Sequence, residues 1–318
     1  MAEAITAFAP ATVSNVACGF DVLGFALEAP GDEVTASFVA GGAAPVTIVG
    51  IGGDDGRLPR EPSRNTASVA AKALLDRLNE RRPVALAIRK GLPLASGLGS
   101  SAASAVAAVV AVDALVGART PVETLIACAL EGERLAAGSA HPDNVVPALL
   151  GGFVLVRESN PPDVVRLPVP AGLTAVVVHP DLEIETAQAR AMLGETVPIG
   201  DAVRQSANLG ALVHALHTGD FALLGRALED AIAEPWRAPL VPGLATIKRA
   251  ALDAGALGCS LSGSGPAIFA LCAGAAIADA VAAAMTAAVR STIGGDTRTY
   301  VSSISTKGAR TTVSSAAR

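Results

Sequence analysis

The chain has 318 residues and carries 24 lysines and arginines against 29 aspartates and glutamates, a formal charge of −5; it is 51% hydrophobic and only 3% aromatic. Its 20 arginines and 4 lysines are scattered without a basic block, which excludes recognition of nucleic acid through its phosphates. The hydrophobic share excludes disorder and predicts one or two domains with tightly packed alanine, valine and leucine cores.

Mean hydropathy is +0.48, and Gly91 to Val112 and Ala254 to Ala278 are long stretches without a charge. Glycines, serines and prolines interrupt both, so neither reads as a membrane span, which needs ~20 continuous apolar residues. Met1 to Pro10 contains Glu3 and no cationic segment, so no secretory signal is read there and a cytoplasmic protein is expected.

In chain order, Val34 to Val39 alternates as a strand, Asn65 to Leu78 has helical periodicity and Val84 to Arg89 alternates again. A glycine-serine turn then leads into an alanine- and valine-rich helix from Ser101 to Val116. Thr120, Pro121 and Glu123 have the order of cap, first turn and third position of a helix reaching about Ala137. Gly151 to Arg157 reads as a strand. Four prolines between Ser159 and Pro170 place a boundary there, giving domains 1–160 and 161–318. Beyond it come a strand at Leu173 to Val178 and helices at Asp201 to His217, Phe221 to Ile232 and Gly243 to Ala254. Strands at Leu257 to Leu261 and Ala267 to Leu271 flank a Ser-Gly-Ser-Gly-Pro turn. A helix from Ala275 to Val289, a strand from Thr297 to Ile304 and a frayed tail after Ser305 complete an α+β, two-layer α/β protein. Cys18, Cys128, Cys259 and Cys272 form no C-x-x-C pair and read as buried thiols in a reducing compartment. His214 and His217 read as a half-buried helix face rather than metal ligands.

The strongest chemical signal is Pro93-Leu94-Ala95-Ser96-Gly97-Leu98-Gly99-Ser100-Ser101-Ala102-Ala103, between a predicted strand and a predicted helix. Glycines bring the backbone close to an anion, and the helix start adds partial positive charge. The segment is neither a lysine-bearing P-loop nor a Rossmann turn. Its serines offer hydroxyls to phosphate oxygens or to Mg²⁺. From these residues alone, a turn that merely starts an alanine-rich helix fits equally well.

Three segments in order, Ala9 to Gly24, Pro93 to Ala103 and Ser262 to Pro266, resemble the three motifs of the GHMP small-molecule kinases. Gly19-Phe20-Asp21-Val22-Leu23-Gly24, His141-Pro142-Asp143-Asn144-Val145, Thr186-Ala187-Gln188-Ala189-Arg190 and Glu234-Pro235-Trp236-Arg237 make the likeness greatest to the homoserine kinase family. The resemblance implies a ribosomal protein S5 domain 2-like N-terminal domain and a ferredoxin-like C-terminal domain. It also implies ATP-dependent phosphorylation of L-homoserine in threonine biosynthesis, and a homodimer.

By the same resemblance the substrate is held by Asn15, Asp21, His141, Thr186, Arg190, Arg237 and Gly263. Homoserine carries a carboxylate, an ammonium and a terminal hydroxyl, so both signs of charge are needed; guanidiniums suit the carboxylate and Asp21 the ammonium. Asp21, expected to be enclosed, requires a partner. Asn65 matches a position near the adenine, and an ordinary helix cap explains it as well. Ser101 and Glu133 match the Mg²⁺ ligands, while Glu131, two positions away, points elsewhere. The general base of some relatives is replaced by Asn144 beside Asp143, so no dedicated side-chain base is expected. Another GHMP kinase acting on a polyol or isoprenoid alcohol, and a GHMP-fold binding protein without turnover, remain the alternatives.

Overall fold

A computed structural model describes residues 4–41, 44–138 and 140–312 of the chain. β1 (Ala4–Ser14) and β2 (Leu23–Phe38) form a long antiparallel pair with a register shift between Pro10 and Thr12. β3 (Val46–Gly52) and β4 (Val84–Arg89) are parallel neighbours joined through α1 (Thr66–Leu78). The two ends of β2 take different partners: Glu33 to Phe38 pairs with β4, and Leu23 to Phe25 with β5 (Phe153–Ser159). Against this sheet lie α2 (Ser100–Val116) and α4 (Pro142–Leu150), and α3 (Val122–Ala137) packs on α1, α2 and α4. Buried residues occur all around α2. Its small side chains let it run between the sheet and the neighbouring helices, which is why its sequence has no polar face.

The proline-rich segment where the boundary was expected begins as a hairpin. β6 (Pro162–Leu167) pairs along β5, from Phe153 with Leu167 to Ser159 with Pro162. The division at 160/161 therefore falls in its turn, and the change of sheet comes after Leu167. Prolines at the start of an edge strand remove no needed ladder bond.

The second sheet begins with β7 (Leu173–Pro180). The chain continues through α5 (Thr186–Ala191), α6 (Ile199–Thr218), α7 (Phe221–Ala227), α8 (Glu234–Arg237) and α9 (Leu244–Asp253). β8 (Gly258–Leu261), β9 (Ile268–Ala273), α10 (Ala275–Thr292) and β10 (Thr297–Ser303) follow, giving the antiparallel order β10-β7-β9-β8. α7 is shorter than its apolar pattern predicts. The Asp230 carboxylate accepts from the backbone N–H groups of Ile232, Ala233 and Glu234 at 2.9 Å each and diverts the chain into α8.

As far as Thr312 the segment expected to fray is ordered: β11 (Arg310–Thr312) returns to the first sheet and pairs with β1 from Phe8 to Thr6. Residues 313–318 lie outside the described residues. Thr120 does not cap α3 either; its backbone N–H and hydroxyl both bond to Asp113 and Pro121 takes the cap position. His214 and His217 are exposed rather than half-buried. All four cysteines are buried and unpaired.

Alternation along β7 joins the two halves. Leu173, Ala175 and Val177 enter the core of the first sheet, whereas Val176 and Val178 pack with α9 and α10. Phe25 of β2 lies 4.8 Å from the Phe153 ring and 6.0 Å, edge-on, from Phe269 of β9. Among the described residues, no helix is long and apolar enough to cross a membrane.

Candidate active site

At the end of β4 the backbone enters the glycine-serine turn over a buried ion pair. Lys90 contacts Asp32 and donates to the Ser100 carbonyl and the Ser104 hydroxyl at 2.8 Å each. The other Asp32 oxygen accepts from the N–H groups of Gly91 and Leu92 at 3.0 and 3.2 Å. Breaking one partner of so buried a pair would leave an uncompensated charge, so the base of the turn is fixed. Sequence reading missed both residues. The visible signal was a lysine directly after β4, at the entry to a long uncharged stretch.

Ala95, Gly97 and Gly99 have φ of +50°, +76° and +66°. Left-handed residues set among ordinary ones form the concave backbone that receives anions. Leu94 to Gly97, Gly99, Ser100 and Ser101 line a cavity of about 440 Å³ at the start of α2. Pro93 lines a neighbouring cavity, and Leu98, Ala102 and Ala103 are fully enclosed in the core. These four residues shape the turn without facing the main cavity. The Ser262 hydroxyl donates to the Gly97 carbonyl at 2.6 Å and the Ala267 N–H to the Ser96 carbonyl at 3.1 Å. The second sheet thus supplies one wall.

The loop between β1 and β2 supplies another. Asn15, Val16 and Ala17 are consecutively left-handed, with φ of +67°, +42° and +56°, and Asp21 has φ of +61°. Such conformations cost about 1–2 kcal/mol each for residues with a Cβ. Asn15 holds the loop: its N–H donates to Asp143, its side-chain amide donates to the Gly263 carbonyl at 3.1 Å, and its amide oxygen accepts from the Asp21 N–H at 3.1 Å. Gly263 therefore acts through its backbone, accepting also from Arg237 at 3.0 Å. Asp21 is not enclosed as expected. Its side chain is 39% exposed and is paired with Arg190 at 2.7 Å. Arg237 is buried, its Nε lacks a partner, and burial together with the Arg190 charge lowers its pKa. Thr186 lines the cavity at the start of α5, four residues before Arg190 on the same helix.

The floor is formed by α3 and α4. Buried Glu133 approaches His141 Nδ1 at 3.4 Å through one oxygen, and its other oxygen has no partner. Burial alone would lower the His141 pKa, but the bond to Glu133 and the Asp143 and Asp21 charges raise it. Asp143 is buried with one oxygen unpartnered; burial and the Asp21 charge push its pKa up to about 6. Asn144 accepts from the Thr12 hydroxyl at 2.7 Å. Glu131 faces away, paired with Arg77 at 2.5 Å. Asn65 caps α1, accepting from Ala67 and Ser68 N–H groups, while also lining the cavity.

The GHMP kinase N-terminal domain matches residues 65–152 and the GHMP kinase C-terminal domain residues 212–291. A homoserine kinase from Chlorobium phaeobacteroides (strain BS1) is 48% identical over 291 residues, covering 89% of this chain and 91% of its own. One from Chlorobaculum tepidum is 45% identical over 317 residues, covering 97% and 98%. The crystal structure of homoserine kinase from Cytophaga hutchinsonii ATCC 33406 superposes with a TM-score of 0.94 at 47% identity over 98% of both chains. The chain belongs to the homoserine kinase family of GHMP kinases.

GHMP kinases take their phosphoryl group from ATP, and the cavity offers the matching parts in this chain. The unpartnered Glu133 oxygen and Ser100 hydroxyl, with Ser101 beside them on the cavity wall, are hard oxygen donors. They fit Mg²⁺, which keeps few protein ligands and completes its shell with phosphate and water. The orphaned hydroxyl is that of Ser100, next to the Ser101 singled out in the sequence.

Proposed function

We propose that the protein transfers the terminal phosphoryl group of ATP to the side-chain oxygen of L-homoserine, giving ADP and O-phospho-L-homoserine on the route to threonine. One observation carries the reading: Arg237 and Asp21, the latter paired with Arg190, line the same cavity as residues of the Ala95 to Ser101 turn. A neutral polyol has no use for two guanidiniums, whereas an amino-acid alcohol needs both signs of charge. Arg190 and Asp21, paired with each other, would exchange partners, the arginine taking the carboxylate and the aspartate the ammonium.

The turn cradles the triphosphate through its backbone and the start of α2. Glu133, with Ser100 and Ser101, would hold Mg²⁺, which neutralises phosphate charge when bound. His141 braces Glu133. Asn144 is an amide and cannot act as a base; with Thr12 it orients the acceptor side. Asp143, bonded to the Asn15 N–H, stabilises the acceptor loop. Because phosphoryl transfer passes through a loose transition state in most analyses, alignment and charge stabilisation carry the rate, and the acceptor proton leaves to a phosphate oxygen or to water. An ADP-release assay with L-homoserine, mevalonate, galactose and no acceptor tests this. Homoserine-dependent release supports it, and release dependent on another alcohol rejects it.

A further inference from the structure

Phe20 is absent from the sequence-based set of site residues, yet it touches both guanidiniums. The guanidinium carbons of Arg190 and Arg237 each lie over its ring, 5.3 Å from the centroid. That is inside the ~6 Å within which the negative face of an aromatic ring attracts a cation. The arginines come from different elements, α5 and α8, and their like charges repel. Each has a separate anchor, Asp21 for Arg190 and the Gly263 carbonyl for Arg237. The ring presents its face to both guanidiniums. Its direction is set by the left-handed Asp21 that follows it, held by Asn15.

We infer that Phe20 is a positioning residue that holds the two guanidiniums together as one carboxylate-binding fork and so sets the preference for an amino-acid alcohol. The inference rests on the homoserine reading above. A leucine at this position keeps an apolar side chain but has no ring face, and a tyrosine keeps the face.

Acceptor pairs separate this role from a general packing role. L-Homoserine and 3-aminopropan-1-ol share the hydroxyl and the ammonium, and only the first has a carboxylate. Phe20→Leu should raise KM for homoserine roughly 5- to 20-fold, with kcat and KM for ATP within about twofold. For 3-aminopropan-1-ol, followed by turnover or as a competitor of homoserine, the change should stay within about twofold. Phe20→Tyr should restore homoserine KM to within about threefold of the parent. Equal losses for both acceptors, no loss for homoserine, or no recovery with tyrosine would overturn the inference. Should the leucine variant fail to fold, Phe20→Met carries the same comparison. A parent enzyme inactive on homoserine would instead reject the function, an outcome distinguishable from all of these.

Discussion

Glu133 is buried on helix α3 with one oxygen against His141 and the other unpartnered, an arrangement that suits the proposed Mg²⁺. Glu133→Gln keeps the shape and removes the charge. It should lower kcat/KM for Mg·ATP by roughly 10²-fold or more and raise the Mg²⁺ concentration needed for half-maximal rate; an unchanged Mg²⁺ titration would reject the ligand role. Asp143 differs in kind. Its pKa, raised to about 6 chiefly by burial, lies above that of an aspartate in the unfolded chain. The associated stability is therefore complete below about pH 4 and lost as the pH rises through 6. Asp143→Asn should raise the melting temperature relative to the parent by an amount that grows between pH 5 and pH 8. The same variant should lower kcat by less than about tenfold, because loss of a general base would cost 10²–10⁴-fold. A fall of that size in a folded variant would show that Asp143 takes the acceptor proton.

At the scale of elements, the start of α2 is the working part. A Cβ on Gly99 would stand 2.1 Å from the Thr12 hydroxyl and 2.8 Å from the Asn144 amide oxygen, at a φ of +66°. Gly99→Ala should thus displace the cradle and part the Thr12–Asn144 bond. We expect kcat/KM for ATP to drop by roughly 10²-fold while far-UV circular dichroism is preserved, since the rest of α2 stays enclosed. Retained activity would mean that the turn adapts freely. The connection between α2 and α3 offers a contrast: Arg119 is exposed and held at φ of +53°. Arg119→Gly should stabilise the protein by about 0.5–1 kcal/mol and leave turnover unchanged, as read by thermal melting and the ADP assay.

For the whole molecule, the Phe25, Phe153 and Phe269 cluster makes the two sheets share a core. Phe25→Ala should cost about 3–5 kcal/mol. Its effect should appear equally in far-UV circular dichroism and in the fluorescence of Trp236, which lies in the other half of the chain. Separate transitions would show that the halves unfold independently. The shared core matters for function because the cavity is walled from both sides, by the turn before α2 and by the Ser262 to Ala267 loop bonded to it. Loosening one sheet against the other would open the site.

Much of this was legible in one dimension. The periodicity of α1 and β4, the helical composition of α2, the glycine-serine turn and the motifs from Gly19 to Gly24 and from His141 to Val145 depend on neighbours in the chain. Local propensity and spacing therefore determined the α+β class and the position of the turn proposed as a phosphate cradle. The partners across the fold were not legible. Lys90 with Asp32, Phe20 between Arg190 and Arg237 and the return of β11 to β1 are contacts between residues that sequence patterns treat separately. Asp21 shows the difference most plainly: its glycine-rich setting suggested an enclosed carboxylate, and the fold gave it an arginine from 169 positions away at a half-open rim. The sequence determined which chemical groups are available, because residue type and local spacing are written in it. Only the tertiary structure decided which of them face one another, because pairing and burial are set by long-range packing that no short window contains.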